Sequence, residues 1–333
     1  MLTRSSCITH PSGSVIETPL LVPSFSSKGF ERSTGDGEPE IAKMLRVATG
    51  SLTDSVLVSA FDMHHGFLPR PAMSWASITL VDSGGYEVSA QASIDESVAT
   101  DETLPWDLAR YQGELDRWPA HVPAVFVTFD ADCLGTALSE QIEVGSEFVN
   151  RYEKHLTVLL VRPESGRQRF VNIDRLIDNV GQLAAFAMVG ITEKELGDSQ
   201  LDRMVNLARI RLALDEAGLP TAIHVFGCLD PISVPLLFMS GAEVFDGLAW
   251  LRYGFQNGVA MYRQNYAALN IGVERSDDFV RVKTLRDNLG SLVELRQKLK
   301  RFHVEREFRV FEPQETIMLN SFNQLVDREP RAR

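Results

Sequence analysis

The chain has only three cysteines in 333 residues, Cys7, Cys133 and Cys228. They are odd in number and far apart, which excludes a disulfide framework and leaves no CxxC pair for a metal. Reduced, mostly buried thiols are the expectation. Long hydrophobic runs are also missing. No apolar stretch approaches the roughly 20 residues that a membrane helix requires, and Met1-Leu2-Thr3-Arg4-Ser5-Ser6-Cys7 contains no apolar signal core. A cytoplasmic protein with no membrane partner is expected. Basic residues are in deficit as well: 33 Lys+Arg face 45 Asp+Glu, a net charge of −12. That balance argues against indiscriminate nucleic-acid binding. The deficit is uneven, because 12 Lys+Arg outnumber 8 Asp+Glu from Arg281 to Arg333, leaving 21 against 37 before it. An acidic body with a basic tail can dock a polyanion in one orientation, although a plain solvated helix accounts equally well for the tail.

A hydrophobic content of 44% supplies a substantial core. Eight short β-type runs follow one another: Thr18–Pro23, Ser55–Phe61, Ser77–Asp82, Ala124–Asp130, Leu156–Arg162, Ala184–Gly190, Ala222–Gly227 and Ala242–Asp246. Most are apolar nearly throughout, as parallel strands buried on both faces are. Helical spacing of apolar residues fills most of the gaps, at Leu104–Trp118, Ser139–His155, Ile173–Leu183, Leu201–Gly218 and Ile232–Met239. Eight strands alternating with helices predict an α/β fold of the (β/α)8 barrel type, with a doubly wound open sheet as the rival. Seven of the eight runs finish on or just before Ser, Asp, Arg or Gly, as the active face of a barrel does, and this favours the barrel. Ser26–Glu40 reads as a loop from the first strand, and the acidic segment Ala90–Thr103 as a flap over the same face. Residues 1–280 form the expected barrel. Residues 281–333 are a basic C-terminal extension, with helix Asn288–Phe302 closing the outer ring and Val304–Arg333 peripheral.

Two strand-end carboxylates stand out. Leu80-Val81-Asp82-Ser83-Gly84-Gly85-Tyr86-Glu87 ends an apolar run on an acid, two glycines and a ring; Val244-Phe245-Asp246-Gly247 ends another on an acid. Glycines lack Cβ and tolerate positive φ, which would let the backbone approach a flat ligand. Two carboxylates in one barrel mouth can divide labour, one attacking or stabilising an electron-poor sugar carbon while the other moves a proton. A helix N-cap is the plainer role for either acid.

In series, Thr18–Pro23, Asp54–Met63, Asp82–Tyr86, Ile223–Gly227 with Pro231, and Gly241–Asp246 resemble successive blocks of the tRNA-guanine transglycosylase family. The Asp-Ser-Gly-Gly-aromatic block is the specific one. The resemblance runs from near Thr18 to near Asn257, with a weaker echo in Asn288–Phe302. It implies a (β/α)8 barrel that exchanges guanine in a polynucleotide for a 7-deazaguanine base without cutting the backbone and without a cofactor. By resemblance Asp246 is the nucleophile at ribose C1′ and Asp82 the proton donor and acceptor. Tyr86 stacks on the base, Asp130 reads its N–H donors, and Gly190 offers a backbone contact. Ser83, Gly84, Gly85, Glu87, Arg162, Phe226, Gly227 and Arg252 complete the expected binding set. The base must be flipped from its stack to enter.

The chain also departs from the family. The family's structural zinc cluster has no counterpart, since no cysteine follows Cys228. Glu87 stands where a Gln is common, and a third carboxylate there would repel phosphate or raise the pKa of Asp82. Arg162 stands where a base-reading Gln is found, able to pair with Asp130. The arginine-bearing loop after the nucleophile is reduced to Arg252. His64-His65 is expected to be a hydrogen-bonded loop pair, Cys133 a buried thiol, Asp132 a cap and His224 a satisfied core histidine. Trp250 and Tyr253 either stack on a nucleotide or seal the rim. tRNA is the expected polymer, with DNA as the alternative; a non-catalytic partner subunit and a nucleoside-processing glycosidase are the other readings, and a homodimer or heteromer is expected.

Overall fold

Runs that are apolar at every position must be buried on both faces, and a closed barrel wrapped by helices achieves this. The computed structural model describes residues 1–35, 37–52, 54–70, 76–88, 104–130 and 135–333. A short hairpin, β1 (Cys7–Thr9) and β2 (Val15–Glu17), comes first. Eight strands then close into an all-parallel barrel: β3 (Leu20–Phe25), β4 (Ser55–Ser59), β5 (Ile78–Asp82), β6 (Ala124–Val127), β7 (Leu156–Val161), β8 (Met188–Thr192), β9 (Ala222–Phe226) and β10 (Val244–Gly247). β10 pairs with both β9 and β3, so no sheet edge remains. The (β/α)8 expectation is the fold observed.

Helices follow the strands: α1 (Glu40–Ala48), α2 (Ala60–His64), α3 (Gly85–Val88), α4 (Leu108–Asp116), α5 (Leu138–Arg151), α6 (Ile173–Asp178), α7 (Gln200–Glu216) and α8 (Ser233–Met239). After β10 come α9 (Ala249–Arg252) and a hairpin of β11 (Tyr253–Gln256) and β12 (Val259–Tyr262) turned on Asn257 (φ 49°) and Gly258 (φ 74°). Asn-Gly suits that turn because both residues tolerate positive φ. α10 (Arg263–Asn270), the long α11 (Asp277–Glu305) and α12 (Glu315–Arg328) complete the chain. No helix among the described residues is long and apolar enough to cross a membrane.

Several details differ from the sequence reading. The strand expected at Ala184–Gly190 is Met188–Thr192, because Val180–Ala185 coils into a 3₁₀ helix first. The helix expected at Asn288–Phe302 begins at Asp277, capped by Ser276. The region after Val304 is not peripheral: Phe311, Met318, Phe322 and Leu325 are buried, and α12 packs on α7 and α8. The described residues from Ser26 to Pro39 form a loop up to α1, as expected. The flap expected at 90–103 lies outside the described residues.

The N-terminal hairpin plugs the bottom of the barrel. Ile16 joins the inner layers formed by Leu20, Val22, Leu57, Leu80, Val125 and Val158, and His10 Nε2 lies 3.1 Å from the Ala124 carbonyl. Beside it the fully buried Glu243 accepts hydrogen bonds from Ser6 Oγ (2.5 Å) and Thr18 Oγ1 (3.1 Å), with Arg211 Nη1 at 3.6 Å. The buried Arg211 also donates to the Thr221 carbonyl at 3.0 Å. Removing one member of a buried charge pair leaves the other exposed to a low dielectric. Glu243→Ala is expected to lower the unfolding free energy by roughly 3 kcal/mol in urea titration, whereas Glu17→Ala, which breaks only the exposed pair with Lys300, should leave the midpoint nearly unchanged.

Candidate active site

Side chains alternate along a strand, so parity decides which ones enter the barrel. Ile78 and Leu80 belong to the inner layers, and Asp82 continues that face; Val244 does the same for Asp246, Leu160 for Arg162, and Ala222 and Phe226 flank His224. At the C-terminal ends of the strands these faces open into a cavity of about 240 Å³. Asp82 and Asp246 both line it, with Gly85, Tyr86, Glu87, Asp130, Arg162, Phe226, Gly227 and Arg252. Acids more than 160 residues apart in the chain thus share one chamber.

Asp246 is 5% exposed. Ser24 Oγ donates to its Oδ2 at 2.8 Å and His224 Nε2 lies 3.0 Å from its Oδ1. With Asp246 as an ionised carboxylate, which only accepts, the hydrogen of that contact would sit on Nε2. The His224 ring is fully buried, stacks on Phe226 at 3.8 Å between centroids, and its Nδ1 has no partner. His224 is therefore not the satisfied core histidine expected from its place in a strand; it positions Asp246. The shared parity of residues 222, 224 and 226 was the available signal. Ser24 lies beyond the expected end of the first strand, which runs two residues further, to Phe25.

Asp82 is half-buried, and its Oδ2 accepts from the Gly84 N–H at 3.4 Å. Burial, then the charges of Glu87, Asp130 and Asp246, push its pKa well above the ordinary carboxylate range. Glu87 is raised by burial too, against the hydroxyls of Ser26 and Ser59. Behind it the fully buried Asp62, which accepts from the Ser27 N–H at 2.7 Å, is raised well above its usual value by burial and by the Glu87 charge. Asp130 is raised by burial, with Arg162 and Ser83 opposing.

The two glycines serve protein packing. Gly84 has φ +86°, and a Cβ there would meet Phe61 Cβ and Trp106 Nε1 at 2.7 Å; the Trp106 indole donates to the Ser83 carbonyl at 2.8 Å. A Cβ on Gly85 would collide with the carboxylate of Asp130, which also receives the Ser83 hydroxyl. The close approach at Gly85 is to a side chain of the cavity wall, and at Gly84 to aromatic side chains packed behind that wall. Tyr86 is 39% exposed at the lip, with Lys28 Nζ 4.5 Å from its ring centre. Arg252 Nη2 donates to the Lys28 carbonyl at 3.0 Å.

Some expected site residues lie elsewhere. Gly190 does not line the cavity, because the Phe226 ring occupies the space in front of it. Trp250 is 1% exposed, donates to the Ser24 carbonyl at 3.2 Å and packs edge-on against Phe25, so it stacks on no ligand. Tyr253 lines the cavity. His64 Nδ1 lies 3.1 Å from Glu114 and both histidine rings pack on Trp106; they are not the loop pair expected, because His64 ends α2 and His65 caps it. Asp132 and Cys133 lie outside the described residues. Besides misreading His224, the sequence reading passed over Ser24, Lys28, Thr192, Lys194 and Glu195, of which Ser24 and the last three line the cavity. Among the described residues no group of three or more His, Cys, Asp or Glu side chains is arranged to hold a metal ion.

No protein-family model and no curated protein matches the chain.

Acids with raised pKa values hold protons in the folded protein that the unfolded chain releases above a pH of about 4. Stability contributed by Asp62, Asp82, Glu87 and Asp130 is therefore present at low pH. It is lost as pH rises towards their folded-state pKa values, and levels off above them. Asp82→Asn removes one such share. Thermal unfolding followed by circular dichroism should show it more stable than the parent by about 1–2 kcal/mol at pH 8 and little changed near pH 4.

Proposed function

We propose that this chain is a guanine transglycosylase acting on a polynucleotide, exchanging a guanine for a 7-deazaguanine base through an Asp246–ribose intermediate. The observation that carries the reading is a pair of unlike carboxylates in one cavity. Asp82 retains its proton above the usual range, while Asp246 is held from two sides by Ser24 and His224.

In the first half-reaction an Asp246 oxygen attacks C1′ as the bond from C1′ to the base nitrogen breaks, and the Asp82 proton passes to the departing guanine. Asp82 is then a carboxylate. In the second half it takes the N–H proton of the incoming base, whose nitrogen displaces Asp246 from C1′. Bonds and protons balance with no other reactant. Asp130 offers two acceptor oxygens to paired N–H groups of a guanine-type edge. Tyr86, exposed at the lip, offers a face for stacking. Burial lowers the Lys28 pKa, the Glu87 charge opposes this, and Arg252 and Lys194 stand near enough to lower it further; such a cluster of cations at the mouth favours a phosphate-bearing substrate. tRNA is the first polymer to test and duplex DNA the second.

Labelled guanine should enter one of these polymers, and Asp246→Ala should abolish incorporation. Denaturing gels of protein, polymer and base should show a covalent adduct with the parent and none with Asp246→Ala. Release of free base from nucleosides with no polymer labelled would replace the reading with a glycosidase; no turnover of any substrate, with tight association to another barrel protein, would replace it with a non-catalytic subunit. Asp82→Asn is expected to slow exchange about 10²- to 10⁴-fold at neutral pH. Because Asp82 acts first as an acid with a raised pKa, the parent rate should fall as pH climbs through that value. The variant's residual rate should lack this limb.

A further inference from the structure

The two oxygens of Asp246 are held by unlike partners. Oδ2 accepts from Ser24 Oγ at 2.8 Å, and Ser24 lines the cavity. Oδ1 lies 3.0 Å from Nε2 of His224, a fully buried residue behind the lining. One oxygen is tied to the cavity surface and the other to the core.

The partners also differ in freedom. A serine hydroxyl rotates to suit its surroundings, and Ser24 has a second acceptor nearby, the Val22 carbonyl at 3.4 Å. Its hydrogen can leave Oδ2 without being stranded. The His224 ring has no such alternative. The Phe226 ring stacks on it at 3.8 Å between centroids, in the space that Gly190 leaves open. His224 Nδ1 is buried with no hydrogen-bond partner among the described residues. Turning the ring away, or moving its hydrogen to Nδ1, would leave a buried N–H unpaired, which costs more than re-aiming a hydroxyl.

An oxygen that becomes the bridging atom of an ester gives up most of its power to accept, whereas the ester carbonyl keeps its own. Attack through Oδ1 would strand the N–H of His224. Attack through Oδ2 strands nothing, because Ser24 turns to Val22. We propose that Asp246 bonds to ribose C1′ through Oδ2, with His224 as the positioning residue that stays on Oδ1 throughout. This rests on the base-exchange reading above. As the Oδ2–C1′ bond forms, the bond from C1′ to the base nitrogen breaks and its electron pair leaves with the base, while the serine hydrogen only changes direction. When the incoming base displaces Oδ2, negative charge returns to the carboxylate, and the N–H on Oδ1 stabilises it because hydrogen bonds to charged groups are the stronger ones.

The adduct can be formed from the full chain and tRNA or duplex DNA, whichever takes up labelled guanine, with no free base added. Aspartate carrying ¹³C at its side-chain carboxyl then identifies the ester carbonyl in infrared difference spectra. His224→Leu should move that band to higher frequency, since the carbonyl loses its donor. His224→Gln, whose amide nitrogen reaches the place of Nε2, should return it to the parent position, and Ser24→Ala should leave it there. On adding base, the His224→Leu adduct should discharge about 10- to 100-fold more slowly than the parent adduct, and His224→Gln should recover most of that loss. A band displaced in Ser24→Ala, or unmoved in folded His224→Leu, overturns the assignment and leaves the exchange reading standing. If the His224 variants fail to fold by circular dichroism, Ser24→Ala decides alone: an unmoved band supports Oδ2 and a displaced one excludes it. A parent that forms no adduct with either polymer overturns both.

Discussion

β10 hydrogen-bonds to β3 with Asp246 opposite Val22 in register, and this closure of the last strand on the first is what the candidate site depends on. It sets Ser24 within 2.8 Å of one Asp246 oxygen, while the pairing of β10 with β9 in the register Val244↔His224 sets His224 at the other. Three strands from the two ends of the barrel thus hold one carboxylate. Slipping any of them by one residue would turn its inward side chain to the outside. The hydrophobic layers beneath enforce the register, because Val22, Val244 and Phe226 would leave the core in the same slip.

Packing acids together works against folding, and the structure concentrates them nonetheless. Asp82, Glu87, Asp130 and Asp246 line one cavity with Glu195. Burial and mutual repulsion keep several of them protonated beyond the ordinary range. Protons stored in this way are a resource for acid–base chemistry and a standing charge against stability, the usual trade at a working site. At the other end of the barrel Glu243 and Arg211 show the opposite solution, a buried acid matched by hydroxyl donors and a guanidinium.

Much of this was legible in the residues. The eight apolar runs gave the barrel because burial on both faces leaves a continuous signature, and the abrupt change to Asp, Ser and Gly marked the open end. Boundaries were less legible where apolar residues continue past the strand, as from Leu183 to Ile191, since nothing in such a run says where the coil becomes extended. The β11–β12 hairpin had a clear marker in Asn257-Gly258 that the strand count overlooked. Gly190 looked like a ligand contact because glycine signals close approach. It does not name the partner, and the partner here is the Phe226 ring. His224 was read as a core histidine and Ser24 was passed over because their meaning arises only when β9, β10 and β3 come together. Pairings between distant strands are not written in any local window.

The cavity at the barrel mouth is a chamber with one door. The apolar layers of Leu20, Val22, Leu80, Val125 and Val158 fill the barrel beneath it down to Ile16 of the β1–β2 hairpin, so it has no exit opposite its entrance. On the base-exchange reading proposed above, the first base would leave by the way the second arrives. Their visits would then alternate, and that reading requires the sugar to stay moored to the wall in the interval when neither base is present.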